Sequence, residues 1–306
     1  MRIGSRGSQL ALWQANHIAD RLRALGHDVS IEIIRTTGDA LQHVSFAQVS
    51  TELGGKGIFT REIEEALREG RIDLAVHSLK DLPTELDLAF TLAVITERVD
   101  PRDALLSARY GSFAELPQGA LIGTSSERRR AQLRAIRSDL RFTEFRGNVD
   151  TRIRKMVEGQ VDAIILASAG LERLGLTEYR RECFAPQILC PAAGQGALAI
   201  ETRAEDQVTQ AALASLNHAA TRYAVTAERA TLAALGGGCQ VPIGVYCTPL
   251  ATDTYAIEGV VASISDLSVT PQVIRVGFER ERGMLPEVLG QKLAEGLLAA
   301  GAQPFL

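Results

Sequence analysis

The 306-residue sequence predicts an α/β architecture, two similar lobes followed by a smaller C-terminal α+β domain. Three observations predict it. Apolar runs of strand length alternate with amphipathic stretches of helical length. One strand-turn-helix pattern occurs twice, and after about residue 218 the pattern gives way to an alanine-rich stretch and a glycine-rich turn.

In order along the chain, residues 2–4 read as a strand, 8–25 as a helix, 29–34 as a strand, 61–68 as a helix and 74–77 as a buried strand. The pattern then restarts, with strands at 121–123, 141–145 and 163–167 and helices at 126–136 and 149–158. Ile3-Gly4-Ser5 opens a helix as Ile122-Gly123-Thr124 does, and Gly70-Arg71-Ile72-Asp73 leads into a strand as Gly159-Gln160-Val161-Asp162 does. The offset falls from 119 to 89 residues, so the first half carries about thirty more residues, placed in a loop over 36–56. Two such lobes facing each other across a cleft form the architecture of periplasmic-type binding proteins, with ligands at strand C-terminal ends. Crossovers are expected near Asp100-Pro101 and from Pro191 to Gly196, after which 197–201 returns to the first lobe. The expected domains are therefore 1–99 with 197–217, then 100–196, then 218–306, the last built from helices at 224–235 and 285–300 and strands at 256–262 and 273–278.

An apolar share of 46% with 23% charged residues is that of a globular protein with room for two or three cores. No apolar run approaches the roughly 18–20 residues of a spanning helix, and no signal peptide opens the chain, so no membrane association is expected and the expected compartment is the cytoplasm. Cys183, Cys190, Cys239 and Cys247 form no Cys-x-x-Cys pair and have no histidine at ligand spacing, so neither a metal site nor a disulfide framework is expected. Net charge is −4, yet residues 120–155 hold ten basic residues against four acids. Such a region either carries solvated helix-face charges or binds anions, for which the arginine fork is suited.

The turns Ser5-Arg6-Gly7-Ser8 and Thr124-Ser125-Ser126 place hydroxyls and unpaired N–H groups at helix N-termini. Ordinary N-capping accounts for Ser8, Thr124 and Ser126; anion binding would account for them as well. Arg128, Arg129 and Arg130 within a first helical turn are electrostatically unfavourable unless an anion offsets them. Arg146, Arg152 and Arg173 recur after the following strands, which implies a multiply charged anion. His77-Ser78-Leu79-Lys80-Asp81-Leu82-Pro83 follows the first lobe's buried strand. A carboxylate there, opposite so many cations, would suit the steadying of a developing positive charge. Gly236-Gly237-Gly238-Cys239-Gln240-Val241-Pro242 places a thiol between a free segment and a stiff one. A small buried hydrophobe and a presented attachment point both fit that cysteine.

Together these residues resemble the porphobilinogen deaminase family. The motifs, in the family's order, are residues 8–15 (Ser-Gln-Leu-Ala-Leu-Trp-Gln-Ala), Gly54-Gly55-Lys56-Gly57, His77 to Pro83, Gly123 to Arg129, Arg146-Gly147-Asn148-Val149, Pro191 to Ala197 and Gly237 to Gly244. The resemblance spans essentially the whole chain. It implies a transferase of tetrapyrrole biosynthesis that joins four porphobilinogen molecules, with loss of ammonia, into hydroxymethylbilane. It also implies a dipyrromethane cofactor held as a thioether to Cys239, with Asp81 and Lys80 catalytic. Arg6, Ser8, Lys80, Thr124, Ser126, Arg128, Arg129, Arg146, Arg152, Arg173 and Gln195 match positions that bind cofactor or substrate carboxylates, Lys56 matches a lid, and a monomer is expected. Two positions depart from the pattern: Glu127 stands inside the Thr-Ser-Ser-x-Arg-Arg motif, and residues 41–53 lack an Asp-x-Pro-Leu.

A bilobal anion-binding protein without catalysis would share the cleft and the arginines but has no use for a third domain presenting Cys239. Nucleic-acid binding is opposed by the acidic overall balance and by aromatics at only 5% of the chain.

Overall fold

In the computed structural model the chain begins with β1 (Arg2–Ser5), which hydrogen-bonds in parallel to β2 (Ser30–Ile33) on one side and β3 (Leu74–Ser78) on the other. The structure describes residues 1–36, 60–237, 241–251, 254–263, 270–279 and 283–306. The expected long loop, Lys56 and Cys239 lie outside the described residues. Between β1 and β2 runs α1 (Gln9–Ala24), capped by the Ser8 hydroxyl, which accepts from the Ala11 N–H. Its buried residues Gln14, Ala15, Ile18, Ala19 and Leu22 recur at helical spacing and lie against the sheet. α2 (Arg61–Arg68) buries Ile63, Ala66 and Leu67. The sheet is completed by β4 (Phe90–Ile95) and by β10 (Leu198–Arg203), which inserts antiparallel between β3 and β4. Its strand order is β2-β1-β3-β10-β4.

The second lobe repeats this plan. β6 (Leu121–Gly123) is flanked in parallel by β7 (Arg141–Thr143) and β8 (Ala163–Ala167), and β5 (Asp103–Leu106) lies antiparallel between β8 and β9 (Arg180–Cys183). The order is β7-β6-β8-β5-β9, strand for strand that of the first sheet. Ile3 stands opposite Leu74 as Ile122 stands opposite Ala163, which preserves the two offsets read from the sequence. Gly4 and Gly123 are equivalent, and close approach of a ring requires glycine at the second. A Cβ at Gly123 would lie 2.7 Å from Phe145, and one at Gly4 would strike Ile72. The helices here are α3 (Glu127–Ile136), α4 (Val149–Val157) and α5 (Ser168–Leu174).

α6 (Gln207–Leu213) follows β10, and α7 (Ala219–Ala234) starts five residues earlier than the sequence predicts. The C-terminal region has its own sheet, β11 (Ile243–Ala251), β12 (Thr254–Ala262) and β13 (Val273–Glu279), covered by α8 (Pro286–Ala299), with its own apolar core. The chain divides into two compact units, Met1–Arg98 with Ala197–Thr221, and Val99–Gly196 with Arg222–Leu306. Within the second unit, buried Glu228 of α7 accepts from the N–H groups of Gly194 (2.6 Å) and Cys247 (2.8 Å). That ties the segment before β10 to β11.

Gly236 ends α7 in the left-handed region at φ 64°. At Gly237 the reason for glycine is packing rather than freedom: a Cβ there would lie 2.6 Å from Ile243 and 2.7 Å from Leu232. Cys190 and Cys247 are buried and Cys183 partly so, all three as thiols outside any disulfide.

Candidate active site

In the first lobe, the turn after β1 and the turn after β3 line one small cavity of about 80 Å³. Arg6 and Ser8 come from the first turn, and Ser78 and Asp81 from the second; His77 and Gln14 complete the polar part of the wall. The second turn is a single turn of 3-10 helix, Leu79–Asp81, with Leu79 buried and Asp81 exposed. β3 is buried continuously from Leu74 to His77, so exposed polar residues emerge only beyond the strand's C-terminal end. Gln14 donates to the Ser78 hydroxyl at 2.8 Å, which fixes that side chain from α1. Lys80 shares the turn and is partly buried. Ser78 and Gln14 were not among the predicted site residues, although both fall inside motifs the sequence singles out.

In the second lobe, the equivalent turn carries Thr124 and Ser126. The Ser126 N–H donates to the Thr124 hydroxyl at 3.2 Å, and the Ser126 hydroxyl caps α3 by accepting from the Arg129 N–H. Arg128 and Arg129 are buried, and their nearest anion belongs to the protein. Arg128 donates from Nη1 to Asp103 (2.7 Å) and to the Cys190 carbonyl (2.6 Å). Arg129 donates from Nε and Nη2 to Asp103 at 3.0 and 2.7 Å, and from Nη1 to the Ile165 carbonyl. Gln195 adds a third donor to Asp103 at 2.9 Å and bonds the Pro101 carbonyl. Burial drives the Asp103 carboxyl upward, but the two guanidinium charges and their hydrogen bonds outweigh it and hold it far below the usual carboxylate range.

The offsetting anion that arginines in a first helical turn demand is thus, in part, Asp103, which sequence reasoning missed. The available signal was a charge at the head of the apolar run Asp103-Ala104-Leu105-Leu106, since a charge so placed needs cations around it. Arg173 is buried and donates to the Gly196 carbonyl at 2.7 Å. Arg146 and Arg152 are partly buried at the next helix start. Arg146 pairs with Glu144 at 2.5 Å, and Arg152 donates to the Gly147 carbonyl at 2.6 Å. Glu127, the residue departing from the motif, pairs with Arg130. No group of His, Cys, Asp or Glu among the described residues could hold a metal ion.

Comparison with known proteins gives two family matches. Residues 1–211 match the family model described as porphobilinogen deaminase, dipyromethane cofactor binding domain, and residues 222–299 match porphobilinogen deaminase, C-terminal domain. Among curated proteins, the porphobilinogen deaminase of Trichlorobacter lovleyi is 49% identical over 310 residues, covering 100% of this chain and 95% of that protein. That of Nitratidesulfovibrio vulgaris is 47% identical over 306 residues, covering 99% and 95%. Among solved structures, a putative methionine-binding lipoprotein of Bacillus subtilis matches at 12% identity and a TM-score of 0.44, over 72% of this chain and 90% of that one. A periplasmic substrate-binding protein from Coxiella burnetii matches at 16% and 0.43, over 72% and 94%.

Proposed function

The chain belongs to the porphobilinogen deaminase family, and we infer that it condenses four porphobilinogen molecules stepwise, with loss of ammonia, into the linear tetrapyrrole hydroxymethylbilane. It is a transferase of porphyrin biosynthesis that works from a dipyrromethane cofactor. That cofactor supplies the pyrrole carbon to which the first unit is joined, and it stays on the protein when product leaves.

The donor set fits such a group. A pyrrole chain bearing acetates and propionates needs cations and hydroxyls for its carboxylates and an acceptor for its ring N–H groups. The cavity of the first lobe offers Arg6, the capped N-terminus at Ser8, and Asp81. That grouping is the observation that carries the reading. In it Asp81 steadies the positive charge that develops on the aminomethyl carbon of porphobilinogen as ammonia leaves, and accepts from pyrrole N–H groups. Lys80 and Arg6 hold carboxylates nearby. On the second lobe Thr124, Ser126, Arg146 and Arg152 are further carboxylate-binding residues, while Arg128, Arg129, Arg173 and Gln195 contribute charge and rigidity from beneath its surface. Cys239 is the attachment residue, and Lys56 belongs to a lid. The chain works as a cytoplasmic monomer of three domains: residues 1–99 with 197–217, residues 100–196, and residues 218–306. No described helix is long and apolar enough to cross a membrane.

The intact mass of purified protein tests this reading. An excess equal to one dipyrromethane is expected, abolished by Cys239→Ser; an unmodified mass in an active preparation would refute the attachment.

A further inference from the structure

Beneath the cavity of the first lobe lies a buried pair that the reading above leaves unused. His77 of β3 and Glu201 of β10 meet at 3.0 Å, Nε2 to Oε2, with side-chain exposures of 8% and 0%. The second oxygen of Glu201 is buried with no hydrogen-bond partner among the described residues. His77 also lines the cavity that holds Asp81. Arg6 and Asp81 line the same cavity, and Glu64 on α2 is close enough to feel the charges of both Glu201 and His77. Burial raises the Glu64 carboxyl above its ordinary value, and the charge of Glu201 adds to that.

The second lobe shows that the fold does not need this pair. By register, His77 corresponds to Leu166 and Glu201 to Leu106, in two sheets of the same strand order. Both leucines are buried, at 4% and 0% exposure. Where one lobe satisfies these positions with apolar packing, the other buries an ionisable pair, which is seldom the more stable choice.

We propose that His77 is the proton acceptor of the condensation and that Glu201 is its positioning residue. This rests on the reaction inferred above. Glu201 accepts the Nε2 proton and so fixes the tautomer with an open lone pair on Nδ1. After each carbon–carbon bond forms, the C–H bond at the attacked pyrrole carbon breaks, its electron pair restores the aromatic ring, and the proton goes to Nδ1 of His77. The ammonia released from the incoming porphobilinogen takes that proton and departs as ammonium, leaving His77 neutral for the next addition. Asp81 then need not take that proton and serves to steady positive charge.

The test combines a resting-state readout with kinetics. In ¹⁵N NMR of the holoenzyme, with His77→Asn used for assignment, His77 is expected as the Nε2-protonated tautomer, and Glu201→Gln is expected to weaken that preference, since an amide can turn its N–H₂ toward Nε2. The same variant is expected to lower kcat about tenfold with KM changed less than about threefold, because the imidazole loses the group that orients it. The double variant His77→Leu/Glu201→Leu, which copies the second lobe, is expected to fold and keep the cofactor mass. Its kcat falls on the order of a hundredfold while KM changes less than about threefold. Undiminished kcat in the double variant, or a His77 tautomer and a kcat that Glu201→Gln leaves unchanged, would overturn the proposal. Should the double variant fail to fold, the tautomer and kcat of Glu201→Gln decide alone. Failure of the wild type to make hydroxymethylbilane would instead sink the inferred reaction, with the NMR result still reporting on the pair.

Discussion

At the head of its fourth strand, opposite Ala167, the second lobe buries Asp103 among Arg128, Arg129 and Gln195. The equivalent position in the first lobe is Leu198, opposite Ser78, and the aspartate of that lobe, Asp81, is exposed on the turn beyond β3. The same strand plan thus uses a carboxylate in two ways. Inside, surrounded by guanidinium groups, it is a structural counter-ion that lets two arginines be buried. Outside, on a short turn, it lines the cavity of the first lobe and pairs with no cation among the described residues. The difference teaches that strand-end position alone does not make a residue part of the chemistry; what decides is whether its charge is already met.

Exchanging either carboxylate for an amide should separate the two roles. Asp103→Asn leaves two buried guanidinium groups without their anion and is expected to cost about 3–5 kcal/mol in denaturant unfolding. Because the Asp103 carboxyl is depressed in the folded state, its stabilisation is complete above the ordinary carboxylate value of about 4 and declines as pH falls toward the depressed one. The acid loss of stability in the wild type should therefore be smaller in Asp103→Asn. Asp81→Asn is expected to leave unfolding and cofactor mass unchanged while kcat drops about a hundredfold to a thousandfold. A large stability loss there would place Asp81 with Asp103 and remove the contrast. The two helix caps give the smallest effect. Ser8→Ala and Ser126→Ala should each cost about 1 kcal/mol, and both should raise KM for porphobilinogen. A rise confined to Ser8→Ala would show that only the first lobe's capped turn holds substrate carboxylates.

Much of this contrast was legible in the sequence, and the unread part has a common cause. The paired motifs at Ile3 and Ile122 carried the internal repeat, since each β-turn-α unit is local and ends in a glycine or a cap. Asp81, Arg6 and Ser8 were found because they lie in the turns of those units. The antiparallel strands β4, β5 and β9 were missed, and with them Asp103. Four residues such as Asp103 to Leu106 show no periodicity, and their partners lie far along the chain. β11 was obscured in the same way by Gly244 and Pro249, although Ile243, Val245 and Cys247 alternate inward. Glu201 sits 124 residues from His77, a pairing that only sheet order reveals.

That sheet order also bears on the timing of assembly. The second lobe draws its five strands from one uninterrupted stretch, Asp103 to Cys183, whereas the first needs β10, which fills the place between β3 and β4. A chain emerging from the ribosome can close its second sheet while the first still lacks its inner strand. The usual order, in which the N-terminal domain folds first, is therefore reversed by topology alone. Until residue 203 has emerged, Leu74 to Ser78 presents an unpaired edge, and the turn bearing Asp81 lacks the strand that anchors it.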